Sequence, residues 1–215
     1  MLLVHALSQR ASIVVDRFET TKDPGSIQTA VDDYVNAAQE TDKLSSSYRS
    51  LFEVRKGVVD AYVARDQTEF LNAIRLISQG SKRIGSSADD VRIVARLDYE
   101  CSMLNLTAAY LYSPMSNPRM ALAKLKELDR WFPQSKGRSR LTARNRHYAE
   151  AYLATRDYPM AVSHLEAALE TASGVEIDRL VDIHTRLKNT SYWNDPDIGR
   201  IAVKINQMKY PGLFH

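Results

Sequence analysis

The sequence predicts an all-α protein made of stacked helical hairpins. Three observations carry that prediction. Apolar residues recur at steps of three and four, and no stretch alternates with period two over a useful length. Only 8 Gly and 7 Pro occur among 215 residues, as expected where most of the chain is helix and few turns need a left-handed backbone. Finally, a helix–turn–helix pattern recurs at an offset of 40 residues.

Leu3, Leu7, Ala11, Val14 and Phe18 form the first helical stripe. TKDPGS interrupts it, because Pro24 and Gly25 resist helix continuation, and Ser26 is a candidate cap for a second helix. That helix carries Ile27, Ala30, Val31, Tyr34, Ala37 and Ala38. Beyond polar TDKLSSS, a third helix is expected over 48–64, with Leu51, Val54, Val58, Ala61 and Tyr62 inward. A fourth, over 67–79, presents Phe70, Leu71, Ile74 and Ile77. GSKRIGSSADD, residues 80–90, reads as the most loop-like segment, and a long helix is expected from about Val91 to Tyr112. Asn117 then caps, and Pro118 opens, a helix that runs to Trp131 and stops at Phe132-Pro133.

The repeat is clearest in HYAEAYLATRDYPMAVSHLEAALE, residues 147–170. At the offset of 40, Asn105 falls on Asn145, Ala109 on Ala149, Tyr112 on Tyr152, Ala121 on Ala161 and Leu125 on Leu165. Small alanines let two helix axes approach, while Tyr and Leu fill the space beside the crossing. One hairpin cannot bury both of its faces, so such units stack.

This pattern resembles the tetratricopeptide repeat, most closely over 142–175. Tyr148-Ala149 stand where that family has Leu-Gly, Tyr152 at its first-helix Tyr, and Asp157-Tyr158 at its turn. Ala161, Leu165 and Ala168 match its second-helix positions, and Ser173 replaces its terminal Pro. Pro133 occupies that last place in the preceding copy. DAYVARDQTEFLNAI, 60–74, and SIQTAVDDYVNAA, 26–38, echo the same unit more loosely. The resemblance implies a right-handed α-solenoid of four to five hairpins in a single domain over 1–215. Its divergent hairpins would occupy 1–90, the clearest repeats 91–175, and a C-terminal cap 176–215. In the cap, VEIDRLVDIHTRLKN presents Ile177, Leu180, Val181, Ile183 and Leu187, and Asn194 or Asp195 with Pro196 opens a final helix. TRLKNTSYWNDPDI is also similar to the close of the repeat-containing C-terminal halves of bacterial helix-turn-helix regulators.

No catalytic motif accompanies the helices. Gly80-Ser-Lys-Arg-Ile-Gly85 is followed by Ser86-Ser87, so the Lys that a phosphate loop needs after its second glycine is absent, and no strand precedes it. There is no Gly-x-Ser-x-Gly elbow and no dinucleotide fingerprint. His147, His164 and His184 have no metalloprotease spacing, and the single Cys101 cannot complete a recognised zinc site with them. They read as packing or surface histidines, and Glu166 and Glu170 as a solvated face. Cofactors are not expected, and neither is an enzyme.

A net charge of +3 is too small to argue for nucleic acid, and aromatics are not interleaved with the basic residues as a single-strand platform requires. The opening MLLVHALSQRASIVV lacks a basic n-region, and no run approaches the ~18 apolar residues of a membrane span. One cysteine fits a reducing compartment. A cytoplasmic protein is expected, so the sequons at 105–107 and 189–191 are chance matches.

One charge cluster stands out: Lys136, Arg138, Arg140, Arg144 and Arg146, with no acid between 135 and 149. Positive charge at a helix start opposes the macrodipole. The cluster is a candidate site for an anion or acidic peptide. The alternatives are pairing with acids of an adjacent hairpin, or solvation. In tetratricopeptide proteins the first helices line a concave groove. By position, Arg146, His147, Glu150 and Leu153 would face it in the best unit, and Leu106, Thr107 and Tyr110 in the preceding one. The expected function is a non-catalytic module binding a peptide or protein, as in the sensor part of a bacterial transcriptional regulator. A stand-alone scaffold or adaptor is the alternative, and homo-oligomer formation is left open.

Overall fold

The computed structural model describes residues 2–86, 99–135 and 137–213. Among these, all regular structure is helical, in ten α-helices and two short 3₁₀ turns. The chain divides into two compact units, Met1–Asn117 and Pro118–His215. Of the two helices expected to pair across SPMSNP, the first lies in one unit and the second in the other.

The first unit contains α1 (Leu2–Thr21), α2 (Pro24–Ala38), α3 (Ser46–Val63), α4 (Gln67–Ser86) and α5 (Tyr99–Tyr112). Helices α1 and α2 pair as a hairpin, as do α3 and α4. In addition, α1 packs on α3, and α3 on α5, so alternate helices lie side by side. The core draws Ala30 and Tyr34 from α2, Val54 and Ala61 from α3, and Phe70 and Ile77 from α4. The Tyr34 ring meets Phe52 edge-on at 5.3 Å, and Phe70 meets Tyr110 at 5.7 Å.

Three local expectations change. Helix α2 starts at Pro24, not after Ser26, because Asp23 is the cap. The Asp23 carboxylate accepts from the Gly25 and Ser26 amides at 3.1 and 3.2 Å. Proline fits the first helical position, where its missing N–H costs nothing. Leu71 is exposed, since the buried face of α4 runs through Phe70, Ile74, Ile77, Ser81 and Ile84, one position away. Finally, residues 80–86 of the expected loop are helical; residues 87–98, including the expected helix start at Val91, lie outside the described residues.

The glycines explain that last difference. A Cβ at Gly80 would lie 2.7 Å from Val54 Cγ2 and 2.9 Å from the Ser50 carbonyl oxygen. One at Gly57 would lie 2.6 Å from Ile77 Cγ1 and 3.0 Å from the Ala73 carbonyl oxygen. Gly57 and Gly80 therefore mark the places where α3 and α4 come closest, and neither is a turn residue.

The second unit contains α6 (Pro118–Trp131), α7 (Arg138–Ala154), α8 (Tyr158–Thr171), α9 (Val175–Lys188) and α10 (Pro196–Lys209). Each helix packs on the next, while α7 also meets α9 and α8 also meets α10. At the α7–α8 crossing Ala149, Ala161 and Leu165 are wholly buried, as their repetition predicts. Between these helices Arg156 takes a left-handed φ of 64°, the Asp157 amide donates to the Tyr152 carbonyl at 2.9 Å, and Asp157 caps α8. Leu180, Ile183 and Leu187 of α9 and Ile198, Ile201 and Ile205 of α10 extend the same core. Asp195 caps α10, its carboxylate accepting from the Asp197 amide at 2.9 Å. No described helix is long and apolar enough to cross a membrane.

Candidate functional site

The side-by-side packing of α1, α3 and α5 leaves a groove of about 280 Å³ in the first unit. From α1 it takes Ser12, Val15, Asp16 and Glu19; from α3, Arg55 and Val58; from α5, Cys101 and Asn105. Tyr34 of α2 completes the lining. Ser12, Asp16 and Glu19 follow one another at steps of four and three, so helical geometry places them on one stripe of α1.

Its polar groups are held from behind. Tyr62 donates its hydroxyl to Glu19 Oε1 at 2.6 Å, and the Tyr62 ring packs on Phe18 and Tyr112. Lys22 covers the Tyr112 ring at 4.3 Å. Arg55 Nη1 donates to the Ser8 hydroxyl at 3.3 Å, towards the start of α1. The Tyr34 hydroxyl is pushed up in pKa by burial, against the opposing pull of the nearby Arg55 charge. Asp33, buried beside it on α2, is neutralised by a two-pronged ion pair from Arg10. A further depression of about 390 Å³ lies along α3 and α4 alone, where Asp60 and Glu69 pair with Lys56 and Arg65 of their own chain segment.

Of the groove's helices the sequence places only α5 on a binding face, together with α7 of the second unit, and it names none of the lining residues. Leu106, Thr107 and Tyr110 are all buried, whereas Cys101 and Asn105 reach the groove from the same helix. Tyr110 turns instead to Phe70 of α4. Among the lining residues, Ser12, Asp16 and Glu19 carry one legible signal, a spacing of four and three along α1.

In the second unit the basic segment meets several fates. Lys136 lies outside the described residues, Arg138 is exposed, and Arg140 is half-buried. Arg144 is buried, donating Nη1 to the Phe132 carbonyl at 2.8 Å and to Asp129 Oδ1 at 3.2 Å. Arg146 is buried with Nε 3.4 Å from Glu176, which also meets Arg179 at 3.2 Å. Glu150, equally buried, accepts from Arg186 at 2.7 Å. For Arg144 and Arg146, acids of neighbouring helices are thus the immediate partners. His147 and Leu153 are buried too. Burial holds the His147 pKa well below the ordinary histidine value, reinforced by the charges of Arg146 and Arg179.

A second cluster joins α6, α7 and α8. Tyr148 donates to Asp129 Oδ2 at 2.5 Å, and its ring stacks on His164 at 4.4 Å and on Tyr152 at 5.9 Å. His164 Nδ1 sits 3.0 Å from Asn145 Oδ1. Burial, then the Asp129 hydrogen bond, push the Tyr148 pKa far up, while burial holds that of His164 down. His184 Nε2 lies 3.1 Å from the Ile198 carbonyl oxygen. Among the described residues no group of three His, Cys, Asp or Glu side chains is placed to hold a metal ion.

No protein-family model, no curated protein and no solved structure matches this chain.

Proposed function

We propose that the chain is a tetratricopeptide-like interaction module that binds a peptide or protein segment along the α1–α3–α5 groove. The observation that carries this reading is the packing of alternate helices α1, α3 and α5 around one groove of about 280 Å³. In a stacked-hairpin architecture the first helix of each pair supplies the lining, as α1 and α3 do here. The volume suits a few side chains of an extended segment, at the small end of ligand clefts. Its mixed lining offers apolar contact from Val15 and Val58 and hydrogen-bonding groups from Ser12 and Asn105. On this reading the module is non-catalytic, and the sensor part of a transcriptional regulator is one setting that would use it.

The test is selection of binders to the full chain from a heptapeptide display library, repeated with Ser12→Trp. Filling the groove with an indole should abolish binding of the selected peptides while the helical circular-dichroism signal stays intact. Undiminished binding to Ser12→Trp would place the interaction elsewhere.

A further inference from the structure

We infer that the exposed face of α6 is a second docking surface, which takes an acidic, amphipathic segment of a protein partner along Arg119, Lys126 and Arg130. It lies in the second unit and stands independently of the groove.

Arg119, Ala123, Lys126 and Arg130 follow one another at steps of four, three and four, so they share one stripe of the helix. All four are exposed, while Ala121, Leu125 and Leu128 bury the opposite side. At the helical rise the stripe is about 16 Å long. Its three cations make no side-chain hydrogen bond or ion pair. That sets them apart from other cations of the second unit, where Lys124 meets Glu127, Arg200 meets Glu166 and Lys209 meets Asp178. The unit as a whole has sixteen Lys and Arg against eleven Asp and Glu, so its field also favours an anionic partner.

The arrangement works against the helix itself. Lys126 and Arg130 are like charges one turn apart, and Arg119 stands in a first turn that has no acid. A cation there opposes the macrodipole. An anion laid along the stripe relieves both. Beside the cations, Met120 and Trp131 are 39% and 69% exposed. They are eleven residues apart, so they share one flank of the stripe. Exposed Trp beside Arg is the composition of a protein-binding hot spot.

The same features argue against a polyanion or a lipid surface. Three cations in a row are fewer than the six to ten phosphate contacts, or the four to eight basic residues, that such partners commonly engage. Glu127, paired with Lys124, lies on the flank with Met120 and Trp131 and would repel a phosphate there. A peptide can set carboxylates against the cations and apolar side chains against that flank.

The experiment uses the full chain and two fluorescein-labelled helical peptides of about sixteen residues. One has three Glu on one face and Leu on both flanks; the other has Gln in place of Glu. By anisotropy the Glu peptide should bind wild type on the order of tenfold more tightly, and added salt should shrink that margin. Lys126→Gln with Arg130→Gln should remove most of the margin. Arg156→Gln with Lys188→Gln makes the same charge change at exposed cations away from α6 and should preserve it. Trp131→Ala should weaken both peptides on the order of tenfold, with the helical circular-dichroism signal unchanged. Ser12→Trp should leave the Glu peptide bound, which separates this surface from the groove. Equal losses in the two double variants would reduce the effect to net charge and overturn the inference. So would a Glu peptide that binds no better than its Gln counterpart. Binding of a DNA duplex or of phosphatidylserine vesicles through Lys126 and Arg130, without binding of the Glu peptide, would overturn it in favour of a polyanion or a membrane.

Discussion

Replacing Gly57 with alanine should destabilise the protein, although alanine is the better helix former. The added methyl would lie 2.6 Å from Ile77 Cγ1, 3.0 Å from the Ala73 carbonyl oxygen and 3.2 Å from the Ile77 amide nitrogen. Ordinary contact begins near 3.4 Å, so the side-chain clash alone asks for a movement of about 0.8 Å. Ile77 is wholly buried and cannot swing into solvent, and two of the three contacts are backbone atoms of α4. Overpacking of this kind costs about 1–3 kcal/mol, against a propensity gain of about 1 kcal/mol. A net loss of up to about 2 kcal/mol follows, which urea denaturation can resolve. Gly80→Ala, facing Val54 and the Ser50 carbonyl, should behave alike. Gly199 provides the control, because it is helical, exposed, and has nothing within 4 Å of its Cβ position. Gly199→Ala should stabilise by about 0.5–1 kcal/mol. If all three alanines stabilise equally, the close α3–α4 approach is wrong.

Tyr148→Phe removes the hydrogen bond to Asp129 and should cost about 1–2 kcal/mol in denaturant melts. Because the folded-state pKa of Tyr148 is raised, its contribution is complete below the unfolded value near 10 and is lost as pH rises above it. Ultraviolet titration should show tyrosines that resist ionisation until the fold opens, one fewer of them in Tyr148→Phe, and a full complement of normal titrations would contradict this. The His147 pKa is depressed in the fold, so its contribution is present above pH 6.5 and falls away as pH drops below that value. His147→Gln should flatten stability against pH as pH falls below about 6.5, by at most about 1.4 kcal/mol per pH unit. An unchanged slope would remove His147 as its source. Arg144→Ala breaks the Asp129 and Phe132 contacts of a buried guanidinium and should destabilise by about 2–4 kcal/mol. Exposed Arg138→Glu, in the first turn of α7, should instead stabilise slightly by complementing the macrodipole. Equal effects at the two positions would refute their different placement.

The helices were legible because burial imposes a period on the sequence. The Ala149–Ala161 crossing follows from the repeat spacing, the Asp157 turn from the family resemblance, and the inner face of α9 from its helical period. Less legible was the meaning of glycine. Gly80 looks like loop chemistry in GSKRIGS, yet it serves a helix crossing whose partner, Ser50–Val54, lies some thirty residues earlier. Local sequence cannot distinguish a glycine that turns from one that admits a neighbour. The same limit governs charge. Arg144 and Arg138 belong to one basic run, but only the fold assigns Asp129 to the first and solvent to the second. The groove lining was missed because positions were carried from a neighbouring unit, whereas Cys101 and Asn105, not Leu106 and Thr107, face it on α5.

The most direct test of groove binding is a nitrogen-15 NMR titration of the full chain with a library-selected heptapeptide. Shifts should concentrate at residues 12–19 of α1, around Arg55 and Val58 of α3, and at Cys101 and Asn105 of α5. Shifts confined to the second unit, or to α2 and α4 with α1 silent, would contradict it.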